Sequence, residues 1–167
     1  MRNEGFLTLN QGDIYFGSDQ AGVDTLLGSC VAVTLWHPYK KLGGMSHIVL
    51  PGKGPEDKDA KYATGAIAYF LEQIKRHHTR PQDYVVHVYG GGKMFSVDEP
   101  GKMKDIGNQN GWKTLELLSH AGFRLQEVDL LDTKYRKVAL DLGNGAISFD
   151  AQPMSATESF SFDRPSA

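Results

Sequence analysis

One cysteine and one of six histidines carry the chemical interest of this 167-residue chain. Cys30 stands in Leu27-Gly28-Ser29-Cys30-Val31-Ala32-Val33, and His47 follows Gly43-Gly44-Met45-Ser46. A thiolate attacks acyl carbon readily once an imidazole takes its proton, so a lone cysteine with a histidine in reach is the equipment of a thiol hydrolase. A single thiol forms no disulfide within the chain. An unassisted thiol of pKa about 8.5 is only a few per cent ionised at pH 7, so the chemistry requires the two residues to meet. Free cysteines also serve as small buried hydrophobes, and spacing alone leaves that reading open.

The elements around the pair favour a meeting. Val23 to Leu27 and Cys30 to Trp36 read as strands on either side of Gly28-Ser29. His37-Pro38-Tyr39-Lys40-Lys41 carries turn chemistry, and Leu42 to Leu50 returns as the next strand, so Cys30 and His47 fall on neighbouring strands of a hairpin. The Gly28-Ser29-Cys30 turn offers backbone N–H groups to a tetrahedral oxyanion, with the Ser29 hydroxyl beside them. A plain bend is the other reading of Gly28 and Ser29.

Further along, Pro51 to Lys58 reads as a loop. Ala66, Ile67, Phe70, Leu71 and Ile74 recur at helical spacing within a helix from about Lys61 to His77, whose terminal His77-His78 suits the helix dipole. Tyr84 to Tyr89 is a strand ended by Gly90-Gly91-Gly92. With Lys93 this run has the look of a phosphate loop, but Met94 occupies the place of the magnesium-binding Ser or Thr, so it reads as a turn beside the site. A second helix, about Gly107 to Ala121, carries Trp112, Leu115, Leu117 and Leu118 and stops at Gly122. Strands follow at Phe123 to Leu131, Lys137 to Leu142 and Ala146 to Phe149. Asn144-Gly145 forms a hairpin turn between the last two, with both residues at positive φ. The expected architecture is a single α/β (α+β) domain over residues 1–150 with a flexible tail from Ala151 to Ala167.

Composition narrows the partners. With 18 basic and 20 acidic side chains, the chain lacks the electrostatic footprint of a nucleic-acid or anionic-membrane binder. The amino-terminal residues lack an apolar signal region and no apolar run reaches spanning length, so a cytoplasmic protein is expected. His37, His77, His78, His87 and His120 have no ligand spacing with Cys30, so neither metal nor cofactor is expected.

The run Thr25-Leu26-Leu27-Gly28-Ser29-Cys30-Val31-Ala32-Val33, followed by Gly43-Gly44-Met45-Ser46-His47-Ile48-Val49-Leu50-Pro51, closely resembles the chemoreceptor glutamine deamidase family, CheD. Lys61-Tyr62, Gly90-Gly91-Gly92-Lys93-Met94-Phe95 and Ile106-Gly107-Asn108-Gln109-Asn110 continue the resemblance, which spans about Gly12 to Phe149. It implies layered β-sheets flanked by two main helices, similar to the catalytic domain of deamidating cytotoxic necrotizing toxins. It also implies conversion of chemoreceptor glutamines to glutamate with release of ammonia, and a CheC-type phosphatase as a second partner. Thr25 matches the family's third catalytic member, holding the imidazole tautomer beside Cys30 and His47. Adjacent Asp24 is the alternative for that role. The family pattern departs at Asp132-Thr133-Lys134-Tyr135-Arg136-Lys137, where a glycine-rich turn before the Arg is missing, which puts substrate range in question. A module that only docks on the phosphatase, or another small thiol amidase or peptidase, are the competing functions.

Overall fold

A computed structural model describes residues 5–93 and 105–153. Its strands are β1 (Leu7–Thr8), β2 (Ile14–Gly17), β3 (Gly22–Leu27), β4 (Val31–His37), β5 (Leu42–Ile48), β6 (Val85–Gly90), β7 (Leu125–Leu130), β8 (Lys134–Asp141) and β9 (Ile147–Pro153). Two helices, α1 (Ala63–Arg76) and α2 (Ile106–Ala121), complete the α+β fold. The strands form two mixed sheets, one of order β1-β3-β8-β9 and one of order β2-β5-β4-β6-β7.

Side-chain alternation explains the layering. In β4, Val31, Val33 and Leu35 point one way, into a core shared with Ala63, Ala66, Ile67, Phe70 and Ile74 of α1 and Leu118 of α2. Ala32 and Trp36 point the other way, into a second core with Val23 and Leu27 of β3, Met45 of β5, Tyr89 of β6 and Val138 and Leu140 of β8. The five-stranded sheet is therefore the middle of three layers, with the four-stranded sheet on one face and both helices on the other. Strands covered on both faces are apolar almost throughout, and every residue of β4 and β5 is buried.

The expected strand, turn and helix order holds along the chain, with definite differences. β1 and β2 were not expected, being too short and polar to show periodicity, yet each pairs with a different sheet: β1 with β3, β2 with β5. The helices flank one face only. On α2 the buried residues are Gly107, Asn110, Gly111, Thr114 and Leu118, while Trp112 is 61% exposed. The β8–β9 turn has Gly145 at φ 79 but not Asn144, whose Oδ1 instead accepts from the Ala146 amide at 2.9 Å. β9 runs to Pro153, three residues into the segment expected as tail. The rest of that tail, and Met94 and Phe95, lie outside the described residues.

The two helices end differently. α2 stops at Gly122, left-handed at φ 92. In α1 the left-handed position after the last turn is His78, φ 58 and exposed, while His77 Nδ1 donates to the Gln73 carbonyl at 2.9 Å. A side chain with a Cβ is strained in that conformation and glycine is not. His78→Gly is therefore expected to stabilise the fold by about 0.5 to 1 kcal/mol, read as a higher urea midpoint at unchanged m-value.

Candidate active site

Cys30 and His47, singled out by their chemistry, and Thr25, given by the resemblance, lie on two different sheets. His47, on β5, is the register partner of Ala32 on β4, and the last pair of that ladder is Val31 with Ile48. Cys30 directly precedes Val31, so by alternation it shares the face of Ala32 and His47, which looks into the space between the sheets. Val23 and Leu27 of β3 point into the same space from the other side, and so does Thr25 between them. Its hydroxyl meets His47 Nδ1 at 2.6 Å. Asp24 falls on the opposite face of β3, where its carboxylate accepts from the Thr8 hydroxyl at 2.6 Å.

The Thr25 hydroxyl has one proton, and Leu9 carbonyl oxygen accepts it at 2.9 Å. The proton in the Thr25–His47 bond therefore belongs to the ring: Nδ1–H donates to Oγ1, and Nε2 keeps its lone pair. A neutral imidazole in this tautomer is a base with one free nitrogen. Cys30 and His47 share a face without a hydrogen bond joining them.

The backbone of His47 is gripped by a loop that sequence patterning did not single out. Gly12 N–H donates to the His47 carbonyl and His47 N–H to the Asp13 carbonyl, each at 3.0 Å, and Leu9 N–H donates to the Asp24 carbonyl at 2.8 Å. Residues 9–13 thus tie β3 to β5. Burial sets the protonation of the centre. Cys30, His47 and Thr25 are 6%, 3% and 3% exposed. Removal from water pushes the Cys30 thiol up to about 11 and His47 down to about 4, against a smaller opposing pull from the Asp13 carboxylate. At neutral pH the resting pair is an uncharged thiol and an uncharged imidazole.

The turn before β4 is held from behind by its carbonyls. Gly92 N–H donates to the Gly28 carbonyl at 2.9 Å, Gly91 N–H to the Cys30 carbonyl at 2.8 Å, and Asn110 Nδ2 to the Ser29 carbonyl at 3.1 Å. The Ser29 and Cys30 amides donate to no acceptor among the described residues. Gly90-Gly91-Gly92 is thus a turn beside the site: Gly90 and Gly91 have φ 119 and 66, and a Cβ on Gly90 would overlap the Cys30 carbonyl. The segment is backed in turn by Leu131 N–H on the Gly90 carbonyl and Lys93 N–H on the Asp132 carbonyl. Leu131 and Asp132 make their turn in the left-handed region, φ 69 and 68, with no glycine to ease it. Among the described residues no three His, Cys, Asp or Glu side chains are arranged to hold a metal ion, and no helix is long and apolar enough to cross a membrane.

An α+β fold that sets a buried thiol and a tautomerically fixed imidazole on one sheet face has the makings of a thiol-hydrolase centre, and comparison with known proteins gives it a family. The profile described as CheD chemotactic sensory transduction matches residues 49–150. The protein of Pseudomonas savastanoi pv. phaseolicola named "Probable chemoreceptor glutamine deamidase CheD" is 34% identical over 155 residues, 91% of this chain and 88% of its own. Thr25, Cys30 and His47 fall inside that span. A protein of the same name in Pseudomonas fluorescens is 35% identical over 87% of this chain and 84% of its own. A "Probable chemoreceptor glutamine deamidase CheD 1" of Leptospira interrogans is 31% identical over 84% and 89%. The chain belongs to the CheD family. Among solved structures, Bacillus licheniformis hypothetical protein YfiH is 16% identical with TM-score 0.48 over 76% of this chain and 60% of that one. YlmD from Geobacillus stearothermophilus is 16% identical with TM-score 0.46 over 71% and 50%.

The depressed His47 pKa makes stability depend on acid. Below the unfolded-state pKa of about 6.5 the unfolded chain takes up the proton that folded His47 refuses, so stability falls as pH drops from there to about 4, by on the order of 3 kcal/mol. His87, also held low by burial, adds in the same direction. Urea titrations of wild type and His47→Gln should show this acid limb flattened in the variant.

Proposed function

We propose that this chain hydrolyses specific glutamine side chains of chemoreceptors to glutamate, as a protein-glutamine glutaminase. The observation that carries the proposal is the Thr25–His47 bond, which leaves Nε2 as a free base on the face that bears Cys30. The names of the relatives support the substrate class.

With both partners neutral at rest, the proton transfers as the sulfur attacks. Nε2 takes the thiol proton while Sγ bonds to glutamine Cδ, and the carbonyl oxygen becomes an oxyanion. The Ser29 and Cys30 amides, in the turn opened by Gly28, are the donors proposed to receive it. The C–N bond then breaks, imidazolium gives its proton to the departing nitrogen, and ammonia leaves a thioester. Water, deprotonated by Nε2, attacks the thioester carbon. The proton returns to the sulfur, glutamate is released, and the free thiol is restored. Thr25 takes no proton; it keeps the ring in the tautomer both steps need.

Intact-mass analysis and site mapping of a receptor cytoplasmic fragment test the reading. Wild type should replace amide by acid at defined glutamines. Cys30→Ala and His47→Ala should lose the activity while remaining folded, with Thr25→Ala impaired less. Full activity in folded Cys30→Ala would overturn the mechanism. Because the base is lost only as His47 protonates, kcat/KM should stay level from about pH 5 to 10 and fall through about pH 4.

The receptor's helical region and a CheC-type phosphatase belong to the same proposal as two occupants of one surface around Cys30. A helix face bearing a glutamine is what the substrate presents, and a thiol only 6% exposed calls for a slim side chain to reach it. Titrating such a phosphatase should raise the apparent KM for receptor at constant kcat. A ternary complex with undiminished deamidation would separate the surfaces.

A further inference from the structure

Asn110 takes no part in the proton transfers above, yet it is fully buried in the amino-terminal half of α2, a setting where an amide contributes little packing. Its Nδ2 donates to two carbonyls far apart in sequence, Ser29 at 3.1 Å and Val49 at 2.8 Å. Both amide hydrogens are used, and reversing the group would set oxygen against two oxygens, so the side-chain orientation is fixed by its partners. Its own Oδ1 is buried with no hydrogen-bond partner, a condition that costs about 1 to 3 kcal/mol.

The two carbonyls lie where the β4–β5 ladder ends. Ser29 precedes Cys30, and Val49 is the residue after Ile48, the last ladder partner of Val31. Asn110 therefore closes the open end of the hairpin with a side chain in place of a backbone rung. It also draws the Ser29 carbonyl back toward α2, and the same peptide unit carries the Cys30 amide on its other side. Turning that carbonyl outward would turn the Cys30 amide inward.

We propose that Asn110 is the positioning residue of the thiol centre: by holding the Ser29 and Val49 carbonyls it keeps the Cys30 amide facing the oxyanion that forms beside Cys30. This rests on the deamidase reading above. Asn110 touches no reacting atom, and its contribution is the direction of one peptide unit.

The test compares wild type with Asn110→Asp, which keeps the shape and loses the paired donors, and with Asn110→Ala, which buries no charge should the first fail to fold. Deamidation of a receptor cytoplasmic fragment should lose about 10²-fold in kcat, with KM within about twofold. Iodoacetamide alkylation of Cys30, which forms no oxyanion, should keep its rate. In ¹⁵N spectra the Cys30 amide signal should move while those of Thr25 and His47 hold. Wild-type kcat in a folded variant, a loss confined to KM, or displacement of the Thr25 and His47 signals along with that of Cys30 would each overturn the proposal. Should wild type leave the fragment unmodified, the deamidase reading falls by itself. The amide signals then decide whether Asn110 sets the turn, and an unmoved Cys30 signal would reject it.

Discussion

A single hydroxyl joins the two sheets to the imidazole. Thr25 Oγ1 gives its proton to the Leu9 carbonyl and receives the His47 ring proton, so one buried oxygen couples the loop after β1, strand β3 and strand β5. Each partner would be costly to leave alone in the inter-sheet space, because a polar group there has no water to turn to. The arrangement is self-consistent in one direction only. If the hydroxyl gave its proton to Nδ1, the buried Leu9 carbonyl would lose its side-chain donor, and the ring nitrogen left to face Cys30 would carry hydrogen instead of a lone pair. The hydrogen bonds that complete the packing thus also select the tautomer.

Burial that fixes the ring also keeps the centre quiet. In water an imidazole near neutral pH carries a partial charge and a thiol a trace of thiolate. Here desolvation moves the two pKa values apart, to about 4 and about 11, and no ion pair rests in the site. The Asp13 carboxylate pulls the imidazole the other way but does not win. A neutral thiol is poorly nucleophilic and slow to oxidise, which suits a single cysteine that must remain reduced. Charge appears only when a substrate carbonyl offers somewhere for it to go. In the proposed mechanism the amides of the Gly28-Ser29-Cys30 turn carry the stabilisation that a preformed thiolate would otherwise supply, so that the geometry of the turn counts as much as the cysteine itself.

Much of this was legible in the chain. The apolar runs of β4 and β5 and the turn at His37-Pro38 announced the hairpin, and the hairpin placed Cys30 and His47 together. The stripe of Ala66, Ile67, Phe70 and Ile74 announced α1. What escaped is what depends on backbone groups. β1 and the Leu9–Asp13 loop are short and mostly polar, so no periodicity marks them, although their carbonyls and amides hold Thr25 and His47. Asn110 looked like an ordinary helix-start residue, because a side chain bonding carbonyls 81 and 61 positions away leaves no local pattern. On α2, Leu118 sits in the core with Leu115 and Leu117 packed against it, but Trp112, in the amino-terminal half, is exposed. The close approach of α2 to the Gly91-Gly92 backbone admits small residues there instead, and Gly107 would strike the Gly91 and Gly92 carbonyls if it carried a Cβ. Choosing Thr25 over Asp24 needed the strand's facing direction, which the run Gly22–Leu27 carries in its alternation only once the buried side is known.

The turn at Leu131-Asp132, which leads into the glycine-free segment 132–137, shows why left-handed geometry without glycine need not loosen a site. The contacts it makes toward the thiol turn are backbone ones: Leu131 N–H to the Gly90 carbonyl and Lys93 N–H to the Asp132 carbonyl. These depend on φ and ψ and not on which side chain is present, and the chain adopts the left-handed geometry despite the Cβ atoms. The strain is held by what lies beneath. Arg136, fully buried, binds the Asp129 carboxylate through Nε and Nη2 and the Leu131 carbonyl through Nη2. That charge-assisted clamp joins β8 of one sheet to β7 of the other. The turn beside the thiol is thus held by a guanidinium, as the imidazole is by a hydroxyl, while the side chains of Asp132 and Thr133 stand exposed.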